Sequence, residues 1–175
     1  MTTLTNNVNH NFWRGPTVRL RAIEQRDLDE IMTAPDEHDT EIDRYEDAIG
    51  VPRSREQEHE ALQRLAKQIG EDDFLFCFIE DRQERTVGYI NSFDCVRRNG
   101  TFKYALAIQR PFWRHGYGRE AVHIFLRYFF RELRYQKCTA LVYAFKDPSV
   151  RFHEALGFQF EGRLRNMVYT NCGIL

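Results

Sequence analysis

The densest concentration of chemically useful residues is Pro111-Phe112-Trp113-Arg114-His115-Gly116-Tyr117-Gly118-Arg119-Glu120-Ala121. Gly116 and Gly118 let the backbone turn tightly and remove Cβ atoms that would hold a ligand away. A helical apolar pattern follows at once. The first N–H groups of a helix have no intrahelical partner, and the helix dipole puts partial positive charge beside them. Such donors suit a diphosphate. Arg110, Arg114, His115 and Arg119 add positive charge at the same point.

Alone, this segment has several readings. It can be a glycine-containing loop ahead of a solvated basic helix end. Gly116-Tyr117-Gly118-Arg119-Glu120-Ala121 also fits GxGxxA formally. A dinucleotide fold, however, needs the glycines directly after a strand, in a parallel unit, with an acid about 20 residues on. Here several residues intervene, the preceding strands read as antiparallel, and no acid stands where required. GxxxxGK[ST] is absent, which excludes a P-loop. The third reading is the diphosphate of a coenzyme A.

The elements that must position this loop follow from periodicity. Val18–Ile23 alternates as a half-buried strand. Glu24–Ala34 is helical, with Leu28, Ile31 and Met32 on one face and Pro35 as the stop. Ser54 opens a second helix to about Ile69, with Glu56 and Glu58 in its first turn and Gly70 after it. Phe74–Glu80, Thr86–Cys95 and Thr101–Gln109 form an antiparallel meander. Gly116 to about Leu133 is a helix with Ala121, Val122, Phe125, Phe129 and Leu133 on its apolar face. Cys138–Phe145 reads as a buried strand, Pro148–Leu156 as a short helix closed by Gly157, and Phe158–Thr170 as a last strand. The order gives an α+β fold on a mixed, mostly antiparallel sheet with about four flanking helices.

The chain of 175 residues suits one compact domain. We expect a flexible tail over residues 1–14 and a single domain over 15–175. The net charge of -1 argues against a nucleic-acid or membrane surface as partner. No apolar run is long enough for a bilayer, and Met1–His10 has no signal-peptide pattern, so a cytoplasmic protein is expected. Cys77, Cys95, Cys138 and Cys172 form no CxxC pair, so no metal site and no disulfide framework is expected. Three of them fall in strand-like runs and read as small buried hydrophobes.

Trp113-Arg114-His115-Gly116-Tyr117-Gly118, together with Lys146-Asp147-Pro148-Ser149 and Arg151-Phe152-His153-Glu154-Ala155-Leu156-Gly157-Phe158, resembles the GNAT N-acetyltransferase superfamily. The likeness runs from about Thr17 to Asn171. It looks most like the RimJ/RimL-like branch of ribosomal-protein N-terminal acetyltransferases, where Trp is frequent at the first loop position in place of Arg or Gln.

The resemblance implies acetyl-CoA as co-substrate and direct transfer of its acetyl group to a primary amine. The pantetheine would lie along the edge of the Tyr104–Gln109 strand, where it splays from the Cys138–Phe145 strand, against backbone groups of Ala107, Ile108 and Gln109. A bulge there would aim one N–H, that of Ile108, at the thioester oxygen. The loop from Arg114 and His115 through Gly116, Tyr117, Gly118 and Arg119 would cradle the diphosphate. Lys146, at the position of a family Asn, would reach a phosphate or be solvated. Ser149 and Phe152 would complete the cofactor site. Ser149 or His153 would give a proton to the departing thiolate. Ser149 can also be a helix N-cap, and His153 an exposed helix residue.

The family's catalytic Glu position falls on Val168, so the base does not carry over; Asp94 or a water chain is the alternative. The acidic run Asp36–Asp47 falls on the acceptor side and would steer a cationic amine, such as a polyamine, aminoglycoside or peptide N-terminus; it also reads as a solubilising face. The resemblance implies one more strand after the Asn171-Cys172-Gly173 turn; a truncation, a strand supplied by a partner chain or a gap in the sheet are the alternatives, and unpaired edges would favour a homodimer. The rival reading is a catalytically silent acetyl-CoA sensor or structural partner.

Overall fold

The computed structural model describes residues 11–33, 52–167, 169–170 and 173–174. Met1–His10, the acidic run, Val168, Asn171 and Cys172 lie outside the described residues. The chain divides into two compact units, Met1–Ile23 with Gln68–Ala140, and Glu24–Lys67 with Leu141–Leu175.

The first unit is a five-stranded sheet in the order β1-β2-β3-β4-β5. The strands are β1 (Val18–Arg21), β2 (Phe76–Asp81), β3 (Thr86–Val96), β4 (Thr101–Ile108) and β5 (Lys137–Thr139). β1 to β4 pair antiparallel and β5 runs parallel to β4. The meander therefore stands as its alternation requires. Val18, Leu20, Phe76, Ile79, Val87, Ile90 and Phe102 form the buried layer.

The β4–β5 ladder stops at Lys103↔Thr139, whereas β4 runs on to Ile108. The expected strand Cys138–Phe145 is thus much shorter, because the chain leaves β4 after Thr139.

A first unit helix, here α3, spans Tyr117–Arg127 and continues as a π-helical turn over Tyr128–Glu132. Ala121, Val122, Ile124, Phe125 and Phe129 recur every three or four residues and are buried. They pack the helix onto the sheet. Phe129 stacks on Phe102 with centroids 4.1 Å apart, and Phe125 lies 5.0 Å from Phe129. Full burial of such a ring stabilises by about 1.5–3 kcal/mol. Two aromatics ahead of β1 pack beside α3 and its π-helical turn: Trp13 lies 4.7 Å from Tyr128, and the Arg127 guanidinium sits 4.2 Å over Phe12.

Within the sheet, Glu80 is fully buried between two arginines. Its Oε2 accepts from Arg21 Nε at 2.6 Å and its Oε1 lies 2.5 Å from Arg19 Nη2. Removing Glu80 would take the carboxylate from the buried Arg21 guanidinium, which is destabilising.

The second unit holds α1 (Gln25–Thr33), nearly all of α2 (Arg55–Gln68) and α4 (Asp147–Ala155). Ser54 and Gln57 close a reciprocal capping box: Ser54 Oγ accepts the Gln57 N–H at 3.3 Å and Gln57 Oε1 accepts the Ser54 N–H at 2.9 Å. α4 ends in a Schellman motif, with Gly157 N–H to Glu154 C=O at 2.9 Å and Phe158 N–H to His153 C=O at 3.0 Å.

The expected last strand is corrected. Among the described residues of that range only Tyr169–Thr170 is a strand, paired with Gly173–Ile174. Phe160 and Leu164 alternate in the right period but are exposed at 80% and 67%. Alternation suits a residue to a strand without providing a partner to pair with.

Candidate functional site

In the first unit the loop after β4 is built in three steps. Arg110–Phe112 forms a single 3-10 turn with Pro111 inside it. Trp113 then donates its indole N–H to the Ile108 carbonyl at 2.5 Å, and the Arg110 guanidinium lies 5.6 Å over the same indole. Arg114 and Gly116 both adopt positive φ, 64° and 82°. Gly116 is the N-cap of α3, and a Cβ there would meet nothing within 4 Å. Its requirement for glycine is therefore conformational rather than steric. Gly118, by contrast, lies inside the first turn of α3.

The first α3 bond from outside the helix proper is Glu120 N–H to Gly116 C=O at 3.2 Å. The N–H groups of Tyr117, Gly118 and Arg119 precede it, and α3 itself does not use them. No side chain caps this end. Arg114, His115 and Arg119 are exposed around it. His115 Nδ1 lies 2.8 Å from the Trp113 carbonyl oxygen, and the imidazole stacks on Tyr117 at 5.5 Å. Donors and positive charge therefore converge on one spot, which fits a diphosphate.

The β4 edge is more selective than the sequence suggests. Gln109 N–H donates to Val87 C=O at 2.9 Å, and Gln109 C=O accepts from Phe112 N–H at 2.9 Å. In an antiparallel ladder the direction alternates, so Ala107 faces β3 as Gln109 does, and Ile108 faces the other way. The expected trio of edge groups thus reduces to Ile108. The expected bulge is also displaced. The β3–β4 register is unbroken from Gly88↔Ile108 to Phe93↔Lys103, and the irregularity lies between Phe93 and Val96. Asp94 sits in that irregularity with φ 48°. Its Oδ2 accepts from Lys103 Nζ at 2.9 Å and its side chain is 62% exposed.

In the second unit Lys146 is the N-cap residue of α4, and Ser149 is the third residue of the helix. Ser149 is therefore not the N-cap. Lys146 Nζ lies 4.8 Å over the Tyr143 ring. His153 is half-buried, between Phe152 and Phe158, each with centroids 5.3 Å away. Its Nδ1 lies 2.7 Å from the Ser149 carbonyl oxygen. A carbonyl only accepts, so Nδ1 carries the proton. Burial lowers the His153 pKa below its ordinary 6.5, opposed in part by that bond.

The thiols of Cys77 and Cys138 are pushed up to about 12 by burial, so neither is a ready nucleophile. Among the described residues no group of three or more His, Cys, Asp or Glu is arranged to hold a metal ion. No helix among them is long and apolar enough to cross a membrane.

The model of the acetyltransferase (GNAT) domain matches residues 17–159. The chain belongs to the GNAT family. This GNAT chain is 40% identical over 159 residues to the SPbeta prophage-derived uncharacterized N-acetyltransferase YokL of Bacillus subtilis (strain 168), covering 91% of this chain and 85% of that one. Among solved structures it resembles the spermidine N-acetyltransferase of Vibrio cholerae in complex with CoA and spermine. The TM-score is 0.74 at 22% identity, over 90% of this chain and 89% of that one. A dodecameric structure of spermidine N-acetyltransferase from the same organism gives a TM-score of 0.66 at 21% identity, over 90% and 87%. The GNAT fold and N-acetyltransferase class are thereby established; the described residues form an α+β arrangement with a mixed sheet of five strands and four α-helices.

Two supports of the GNAT loop were not evident in the sequence. Arg85, in the β2–β3 turn, is held by Asp81 through Nε at 2.8 Å and Nη2 at 2.6 Å. Its guanidinium lies 5.1 Å over Phe112. Glu120, in the first turn of α3, accepts the Thr17 N–H at 2.8 Å and the Val18 N–H at 3.3 Å. Both are long-range contacts, and only the placement of Arg85 next to an acidic turn hinted at either.

Proposed function

We propose that this GNAT chain transfers the acetyl group of acetyl-CoA to a primary amine on a cationic acceptor. The observation that carries this reading is the left-handed turn at Gly116. It sets the N–H groups of Tyr117, Gly118 and Arg119 ahead of the first α3 bond, amid exposed basic side chains. Those groups would hold the diphosphate. Ile108 N–H would face the thioester oxygen. The family resemblance adds Ser149, Phe152 and Lys146 as further cofactor contacts.

Three steps need help. The acceptor ammonium, of ordinary pKa about 10.4 for a lysine-like amine, must lose a proton. The amine nitrogen then attacks the thioester carbon, and the charge developing on its oxygen needs a donor. Last, the carbon–sulfur bond breaks and the sulfur takes a proton. His153 is largely neutral at neutral pH with its proton on Nδ1, so its Nε2 accepts rather than donates. The hydroxyl of Ser149 is the better proton donor to sulfur, and His153 the better acceptor.

The acidic run from Asp36 to Asp47 supports a cationic acceptor. The spermine-bound neighbour points the same way, while Trp113 favours a peptide N-terminus. The test is a panel of polyamines, aminoglycosides, amino acids and N-terminal peptides, read by release of CoA thiol. Turnover on at least one cationic amine is expected. Acetyl-CoA binding with no turnover on any amine would defeat the transfer step, and no binding would defeat the whole reading. Neutralising Asp39, Glu41 and Asp43 is expected to raise the acceptor KM and flatten its salt dependence; unchanged values would remove the acidic run from the acceptor site.

A further inference from the structure

Gly88 lies buried in the middle of the sheet, in β3, where a side chain would ordinarily strengthen packing. A Cβ built on it would meet the Ala107 carbonyl oxygen at 2.1 Å, with Ala107 C and Ile108 Cα each at 3.0 Å. Cross-strand neighbours in an ordinary antiparallel ladder keep their Cβ atoms about 4.5–5.5 Å apart. The Ala107–Ile108 peptide link therefore leans onto the face of Gly88 where a side chain would stand. The register Gly88↔Ile108 is nonetheless intact. Against β4 no residue is inserted here, whereas against β2 the register shifts between Ile79 and Glu80, leaving Val87 as an extra residue of β3 beside Gly88.

The tilt has a direction. In a planar trans peptide the C=O and the following N–H point opposite ways. With the Ala107 oxygen over Gly88, the Ile108 N–H points away from β3, toward the side from which β5 has departed. Two further bonds hold the following link. Gln109 N–H is bound to Val87 C=O at 2.9 Å, and Ile108 C=O is bound to the Trp113 indole. The Ile108 N–H is the group left facing outward by this arrangement.

We propose that Gly88 is a positioning residue for acetyl transfer. By lacking a side chain it lets the Ala107–Ile108 link tilt, and so aims the Ile108 N–H at the thioester oxygen. This rests on the acetyl-CoA reading above. Any side chain at position 88 would have to displace the Ala107–Ile108 peptide that carries this donor.

Gly88→Ala tests it. Alanine suits a strand, so the ladder survives once the peptide rotates back into the sheet. The variant is expected to keep its affinity for CoA lacking the acetyl group and to lose on the order of 100-fold in kcat at saturating acetyl-CoA. A folded Gly88→Ala with wild-type kcat overturns the proposal, as does a loss in which CoA affinity falls as far as kcat. If the variant does not fold, the N–H residual dipolar coupling of Ile108 in the wild-type chain decides. A tilt out of line with Leu106 supports the proposal, and an in-plane value overturns it. Failure of the wild-type chain to bind acetyl-CoA would refute the underlying reading instead, and is seen before any variant is made.

Discussion

The Trp113 indole N–H donates to the Ile108 carbonyl oxygen at 2.5 Å, tying the loop to the last residue of β4. Ile108 faces away from β3, so this bond removes the one outward acceptor at the strand end and leaves an outward donor. Trp113→Phe keeps a ring beneath Arg110 and deletes only the N–H. A single hydrogen bond is worth about 0.5–1.5 kcal/mol, so KM for acetyl-CoA should rise between about twofold and tenfold with kcat little changed. Steady-state kinetics with acetyl-CoA varied checks this; a change confined to kcat would show that the indole acts elsewhere.

Arg85 supports the same loop from the opposite side. Its fork grips Asp81 and its plane covers Phe112, so the two residues act as one unit. Arg85→Ala and Asp81→Asn should each raise KM for acetyl-CoA several-fold, and the double variant should be no worse than the poorer single one. Arg85→Lys should not restore the value, because an ammonium cannot lie flat on Phe112 while holding the carboxylate. Additive losses in the double variant would show that Arg85 contributes charge alone.

Gly116 and Gly118 separate conformation from access. Gly116 holds φ 82° with open space beyond it. Gly116→Ala should therefore destabilise by about 1–2 kcal/mol, the usual cost of a left-handed residue, and leave the cradle unobstructed. Gly118 lies inside α3. Gly118→Asp should fold and lose CoA binding, because its carboxylate stands among the N–H donors and repels phosphate. Calorimetric titration beside thermal unfolding distinguishes the pair. A folded Gly118→Asp of unchanged affinity would refute the diphosphate site.

What the residues disclosed in advance was local. The β2–β4 meander, α3 and α4 followed from period and punctuation, and Ser54 capped its helix as its type requires. The loop between Trp113 and Arg119 was recognisable because glycines, bases and a helix start lie together in sequence. Strand lengths at Cys138 and Phe158 were misjudged because pairing depends on a partner that alternation does not reveal. Gly88 and Arg85 were missed for a related reason. Gly88 matters through Ala107, and Arg85 through Phe112, each distant in sequence and adjacent only after folding.

His153 offers the sharpest test of the chemistry, because its two possible roles respond oppositely to pH. Burial holds its pKa below 6.5, and the Ser149 carbonyl fixes the proton on Nδ1. As a proton acceptor it works when neutral, so kcat/KM should rise with pH through that depressed value and stay level above about 6.5, until another group titrates. As a donor it would work when charged, and the same limb would fall. His153→Gln should abolish whichever limb belongs to it. The same depression has a consequence for stability. Below 6.5 the unfolded chain binds the proton more readily than the folded one, so the contribution of this site is complete above 6.5 and is lost as pH falls through the folded pKa. Denaturant midpoints between pH 8 and about 5 should therefore drop more in the wild type than in His153→Gln. Parallel curves would mean that the imidazole titrates equally in both states, and a falling activity limb would return His153 to the role of acid.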